Sequence, residues 1–268
     1  MTEKSSRQVK KVFESVAGIF INRFSRDYPP AAQNYSRHQD DVLTLPTGFR
    51  SLDMALGIGG LPRGRITELM SPGGNLPSNG VTNITARIAS KAQRKQQIVT
   101  VIDMNHSFDP WQAERCGFVA PHLLISRPET VLDALTTLEN VAHKEGLVII
   151  TMGFATDLLS HAQPSLLKTL LGRVRNIVRQ SDCVYLFSTT AQKNDPFSPT
   201  NHPPGFPLSE LADVRLWVQD ETWSYKDGIA TAYKSNLTVI KNTLTIAGKG
   251  ADIRIKFSDL ETFDPAHS

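Results

Sequence analysis

Five apolar runs of strand length, separated by segments with helical patterning, restrict this chain more than any other feature. They are Arg65–Met70, Ile98–Asp103, Leu123–Ser126, Leu147–Met152 and Val184–Thr189, and the helical patterns between them are Thr82–Gln93, Pro110–Cys116, Glu129–Lys144 and Pro164–Gln180. Strands that are apolar almost throughout need cover on both faces. The alternation therefore predicts an α/β fold, a mainly parallel sheet flanked by helices. After Asp213 the texture changes. Val214–Asp220 and Ala230–Lys241 flank the turn signal Asp227-Gly228, and Ile253–Phe257 follows. These read as antiparallel strands added at the C-terminal edge of the sheet.

Ahead of the core, Val9, Phe13, Val16, Phe20 and Phe24 recur at intervals of three and four, with Arg7, Lys10, Lys11 and Arg23 off that face. This predicts an amphipathic helix over Ser5–Phe24 that packs on its own domain or docks on a neighbouring subunit. Asp27–Gln39, with Pro29-Pro30, follows as a polar linker. The organisation expected is residues 1–42 as helix and linker, 43–257 as the α/β core and 258–268 as a short tail. Of 268 residues only two are cysteines, Cys116 and Cys183, and the formal charge is +3. That excludes a disulfide framework and a zinc site, points to a reducing, cytoplasmic setting, and permits nucleic-acid contact without demanding it. The apolar run Val16–Ile21 is too short for a membrane span.

The stretch Leu61–Ile84, LPRGRITELM then SPGGNLPSNGVTNI, carries the chemistry-bearing pattern. A strand feeds a loop rich in Gly, Pro, Ser and Asn that opens onto a helix, the setting in which backbone N–H groups and the helix dipole cradle a phosphate. A nucleotide hydrolase closes such a loop with Gly-Lys-Ser/Thr. This chain has Gly80-Val81-Thr82.

Leu45–Met70 (LPTGFRSLDMALGIGGLPRGRITELM), Ile102–Gly117 (IDMNHSFDPWQAERCG), Leu123–Pro128 (LLISRP) and Asn236–Phe257 (NLTVIKNTLTIAGKGADIRIKF) resemble successive blocks of the RecA recombinase family. The resemblance covers roughly Leu43 to Phe257 and implies a RecA-like core without the family's larger C-terminal domain. Its site residues carry over mostly as losses. The phosphate-binding lysine falls on Val81, the water-activating carboxylate on Asn105 and the Walker B acid on Thr151. The γ-phosphate sensor falls near Thr189. Thr82 keeps the Mg²⁺-binding hydroxyl, and Gly80 precedes the lost lysine. Asp109 matches a position near the adenine, where the stacking aromatic is Gln112. Lys241 matches one of two lysines that reach a neighbouring subunit's nucleotide, and the second falls on Thr243. Phosphoryl transfer depends on positioning and on neutralising developing charge, so these losses imply weak or no ATPase activity. No cofactor is required on this reading, and ATP binding without hydrolysis stays as an alternative.

The resemblance also places two DNA-binding loops. The first falls on Gly153–Pro164 and matches poorly. The second, Ala191–Leu208, carries Lys193, Phe197, His202 and Phe206. Either its aromatics stack on single-stranded DNA with Lys193 on a phosphate, or it is a Pro-rich surface loop with both phenylalanines tucked in. Lys168, Arg173, Arg175 and Arg179 line one face of Pro164–Gln180, as a solvated basic face or a backbone-phosphate stripe. Trp111 is expected in the core, Asp103 as a strand-end structural carboxylate, and His106 in a hydrogen-bonding role. The resulting expectation is a non-hydrolysing RecA-like subunit acting in DNA repair or recombination. Its partners would be single-stranded DNA, a recombinase or a translesion polymerase, as for the ImuA-like accessory relatives, with oligomerisation through the N-terminal helix. A DNA-dependent ATPase with an unconventional site and a protein-interaction scaffold are the alternatives.

Overall fold

The computed structural model describes residues 42–72, 79–119, 122–141, 146–152, 164–198, 201–202 and 208–258. The chain divides into two units at Asp41/Val42, and every described residue belongs to the second. The N-terminal helix, the linker, the loop 153–163, Phe206, the side chain of Lys168 and the tail beyond 258 lie outside the described residues.

An eight-stranded sheet organises the fold. Its strands are β3 (Ile66–Ser71), β4 (Ile98–Asp103), β5 (Leu123–Ser126), β6 (Gly146–Met152), β7 (Val184–Thr190), β8 (Val214–Lys226), β9 (Ile229–Asn242) and β10 (Gly250–Lys256). They lie in the order β10-β9-β8-β3-β7-β6-β4-β5. From β8 to β5 all neighbours are parallel, and β8–β9 and β9–β10 are antiparallel. A separate antiparallel pair, β1 (Thr44–Leu45) and β2 (Leu61–Pro62), leads into the sheet. The strands fall where the apolar runs predict them. The main difference is β8, which runs on to Lys226 because β9 pairs with it along its whole length. Asp227 and Gly228 both have positive φ, 52° and 77°, the geometry of a tight hairpin turn.

Among the described residues the helices are α1 (Arg50–Leu56), α2 (Asn79–Arg94), α3 (Pro110–Arg115), α4 (Val131–Val141), α5 (Pro164–Gln180) and α6 (Leu208–Leu211). α2 buries Ile84, Ile88, Ala89 and Ala92 against Leu69, Val101, Ile149 and Leu186 of the sheet, in a core that extends to Leu237 and Ile253. Truncating a fully buried residue here, such as Ile88→Ala, costs about 2–5 kcal/mol. Within Leu45–Met70, Thr47 donates its backbone N–H and its hydroxyl to Asp53 Oδ1, at 2.9 and 2.8 Å. Among the described residues no helix is long and apolar enough to cross a membrane.

Candidate functional site

In an open parallel sheet, the crevice outside the carboxyl ends of the strands is where ligands bind. Here β3, β6 and β4 deliver Ser71, Thr151 and Asp103 to that edge, and α2 begins above it. Residues 73–78 of the connecting loop lie outside the described residues. The first turn of α2 faces inward. Val81 is 3% exposed and belongs to the main core. Thr82 is partly buried. Asn83 is fully buried and accepts a hydrogen bond from Gln112 Nε2 at 2.8 Å and a weak one from the Cys116 thiol at 3.6 Å. Burial pushes that thiol up to about 12, which keeps it a neutral donor.

Asp103 gathers the neighbouring strand ends. Its Oδ1 accepts from the Thr151 hydroxyl at 2.6 Å and from Ser107 N at 2.9 Å. Its Oδ2 accepts from Arg127 Nε at 3.1 Å, and Phe108 N lies 3.3 Å from both oxygens. This is the structural strand-end carboxylate that the sequence suggests. Thr151 is thereby spent on holding Asp103. Asn105 is exposed and accepts from the Ser107 hydroxyl at 2.8 Å; its amide has no basic lone pair with which to activate water. His106 is exposed with φ 53°, and no hydrogen bond of its side chain is found among the described residues, in contrast to the role expected. Arg127, a cation that sequence reasoning passed over, also donates to Phe108 O at 3.3 Å.

Asp109 caps α3 by accepting from Trp111 N at 2.9 Å. Trp111 is 66% exposed, which corrects the expectation of burial: at the first turn of a six-residue helix it points away from the contacts that Ala113 makes with the core. Lys241 donates to the carbonyls of Ser209 and Glu210 at 3.0 and 3.1 Å, at the end of α6. Burial, reinforced by Arg215, holds its ammonium below the usual lysine range.

A second polar centre lies in the middle of the sheet. Glu68 on β3 is fully buried, and Arg215 Nε on β8 donates to its Oε2 at 2.6 Å. The Thr189 hydroxyl donates to Oε1 at 3.0 Å, and His202 Nε2 stands 2.9 Å from the same oxygen, a close contact without hydrogen-bond alignment. Burial pushes the Glu68 carboxyl up, but His202 and Arg215 outweigh it and hold the group below the usual range. The network ties down the loop after β7, because Arg215 Nη2 also reaches Pro196 O at 3.2 Å. Asn201, itself buried, donates to Asp195 O at 2.7 Å and accepts from Lys193 N at 3.3 Å. His202 is therefore turned inward, while Lys193 and Phe197 face out. Phe197 is 68% exposed, so it is not tucked against the domain. On α5, Arg173 pairs with Glu139 and Arg179 with Asp213, the latter at 2.9 Å; Arg175 is exposed. Asp213 also accepts from Ile66 N, at the start of β3, so Arg179 sits at the edge opposite the strand ends just described.

The model of the RecA N-terminal domain matches residues 31–260. The chain belongs to the RecA family. It is similar to Protein RecA of Thermus thermophilus, 28% identical over 265 residues, with 92% of this chain and 76% of the relative covered. Protein RecA of Thermus aquaticus is 29% identical over 233 residues, covering 81% and 67%. That of Chlorobium limicola is 28% identical over 237 residues, covering 81% and 66%. Within a RecA-type sheet, the structure brings Thr151 next to Asp103 and places Gly80, Val81 and Thr82 at the head of α2. It sets Lys241 against α6 and Asp109 and Asn105 on the exposed loop before α3. Glu68, Arg127, Arg215 and Glu221 are the charged residues that sequence reasoning missed. An isolated Glu inside ITELM and an isolated Arg inside VRLWV were the available signals.

Proposed function

We propose that this RecA-family chain acts in DNA recombination and repair, in the cytoplasm, as a structural or regulatory subunit that does not hydrolyse nucleotide. The observation that carries this reading is the commitment of the site positions to the fold. Val81 fills core space where a lysine would reach a phosphate, and Thr151 holds Asp103 where an acid would hold a metal. With Asn105 in place of a carboxylate, all three of these positions carry uncharged side chains, where phosphoryl transfer calls for charge neutralisation and a base. The reading includes contact with single-stranded DNA, or with a recombinase or translesion-polymerase partner, through the loop that presents Phe197 and Lys193. An exposed aromatic and an exposed cation on one loop suit base stacking with a phosphate contact. Phosphate release from ATP, measured with and without single-stranded DNA, tests the first part. Turnover abolished by Thr82→Ala would overturn it. A gel shift across a salt series tests the second, since phosphate contacts weaken steeply as salt rises.

A further inference from the structure

We infer that Glu221 is an internal anion seated at the amino end of α2, and that the β8–β9 hairpin thereby closes this end to anions from solution. The inference deepens the reading above and rests on it. Gly80, buried in the first turn of α2, leaves room for this contact: a Cβ on it would fall 1.8 Å from Glu221 Oε1 and 2.2 Å from Tyr233 Oη. The backbone is built to aim Glu221 there. Gln219 pairs with Asn236 and Thr222 with Lys234, so Asp220 and Glu221 together oppose Ser235 in a bulge, with Asp220 at φ 54°. A bulge re-aims a side chain, and a left-handed aspartate is an uncommon conformation to hold without a reason.

The carboxylate is also anchored from behind. Tyr233 is fully buried and donates its hydroxyl to Glu221 Oε1 at 2.7 Å. Trp223 packs on Tyr233 with ring centroids 4.9 Å apart and on Phe257 at 6.0 Å. The first turn of α2 has no acidic residue of its own. A carboxylate at a helix amino end is favoured by the unpaired N–H groups and the dipole there, so Glu221 supplies what that turn lacks. Two buried polar groups on β3 and α2 are also without hydrogen-bond partners among the described residues. Ser71, at the end of β3, and Asn83 are fully buried, and neither Ser71 Oγ nor Asn83 Nδ2 has a hydrogen-bond partner among the described residues. An anion of phosphate type meets a negative charge at this helix end while Glu221 is present, and meets the helix end without that charge once Glu221 is gone.

The test is thermal unfolding of the full chain, as wild type, Glu221→Ala and Glu221→Gln, titrated with sodium pyrophosphate against sodium chloride of equal ionic strength. Wild type is expected to show no rise beyond the chloride control. Glu221→Ala is expected to start lower and to gain a few degrees, roughly 2–4 °C, because a ligand that binds only the folded state raises its melting temperature. Where the alanine variant does not fold, the glutamine variant, which keeps the shape and removes the charge, carries the same comparison. A folded variant without gain, or a wild type that gains as much as the variant, overturns the inference. Gly80→Ala is expected to lower the melting temperature in wild type and to lower it less in the Glu221→Ala background. ATP turnover by wild type would instead end the functional reading, so the two failures are told apart.

Discussion

Arg215 and Glu68 face each other across the parallel pair β8–β3 with Nε 2.6 Å from Oε2, and their side chains are 6% and 0% exposed. Breaking such a pair leaves one charge buried without compensation, which costs about 3–5 kcal/mol. Glu68→Ala is therefore expected to lower the unfolding free energy by that order in a denaturant titration. It should also loosen the loop around Asn201, giving faster tryptic cleavage at Lys193. A loss below about 1 kcal/mol would mean that the pair is dispensable.

The same carboxyl predicts an acid limb. Its folded-state pKa lies below its ordinary value of 4.5, because His202 and Arg215 outweigh the effect of burial. A depressed carboxyl contributes stability that is fully present above the unfolded value and is lost as pH falls through the folded one. Stability measured downward from pH 5 should therefore fall more steeply in wild type than in Glu68→Gln. Parallel profiles would assign the acid limb to other carboxylates.

Val81→Lys restores the lysine at its expected place and should still fail to restore turnover. The position is 3% exposed within the core, and a buried unpaired ammonium is costly. The variant is expected to melt several degrees lower, about 4–8 °C, with phosphate release unchanged from wild type. Appearance of turnover in Val81→Lys alone would mean that the rest of the machinery is intact.

Thr151→Val removes the hydroxyl that Asp103 accepts at 2.6 Å and leaves a buried carboxylate oxygen short of a partner. A loss of about 1–3 kcal/mol in urea unfolding is expected. Thr151→Asp should be worse at pH 7 than at pH 4, because two carboxylates then share the site and protonation of one relieves them.

Phe197→Ala and Lys193→Ala should separate binding from stability, as both side chains are exposed. Fluorescence anisotropy with labelled single-stranded DNA is expected to show a loss of about 1–3 kcal/mol for the stacking residue. For the lysine, the salt slope should become shallower by about one unit. Arg179→Ala should instead lower the melting temperature, since it removes the Asp213 contact, and leave DNA binding alone.

The sheet was legible because its strands are apolar nearly throughout and the helices between them are long. Asp227-Gly228 announced the hairpin through the same local chemistry that fixes its two positive φ values. The short β1–β2 pair and α6 were not foreseen, since two- to four-residue elements leave no periodicity to read. At the site, the positions of Val81, Asn105 and Thr151 could be inferred from the order of blocks, but what their side chains touch could not. Asp103 and Thr151 are separated by 48 residues and meet only because β4 and β6 are neighbours. Trp111 went the other way, because a large aromatic in a helical segment reads as core and nothing local shows which side of α3 faces water.

One consequence of the strand order concerns synthesis rather than the finished molecule. β3 has β7 and β8 as its sheet neighbours, with Ile66 opposite Tyr185 and Thr67 opposite Val214. On the ribosome, the segment Ile66–Ser71 emerges long before either partner exists, as an apolar strand with two bare edges. It must wait for well over a hundred further residues, and at roughly 5–20 residues per second that wait lasts from several seconds to half a minute. Its single charge, Glu68, is then solvated and keeps the nascent strand from pairing with copies of itself. A residue fully buried in the folded sheet thus carries, on the unfinished chain, the charge that disfavours such pairing.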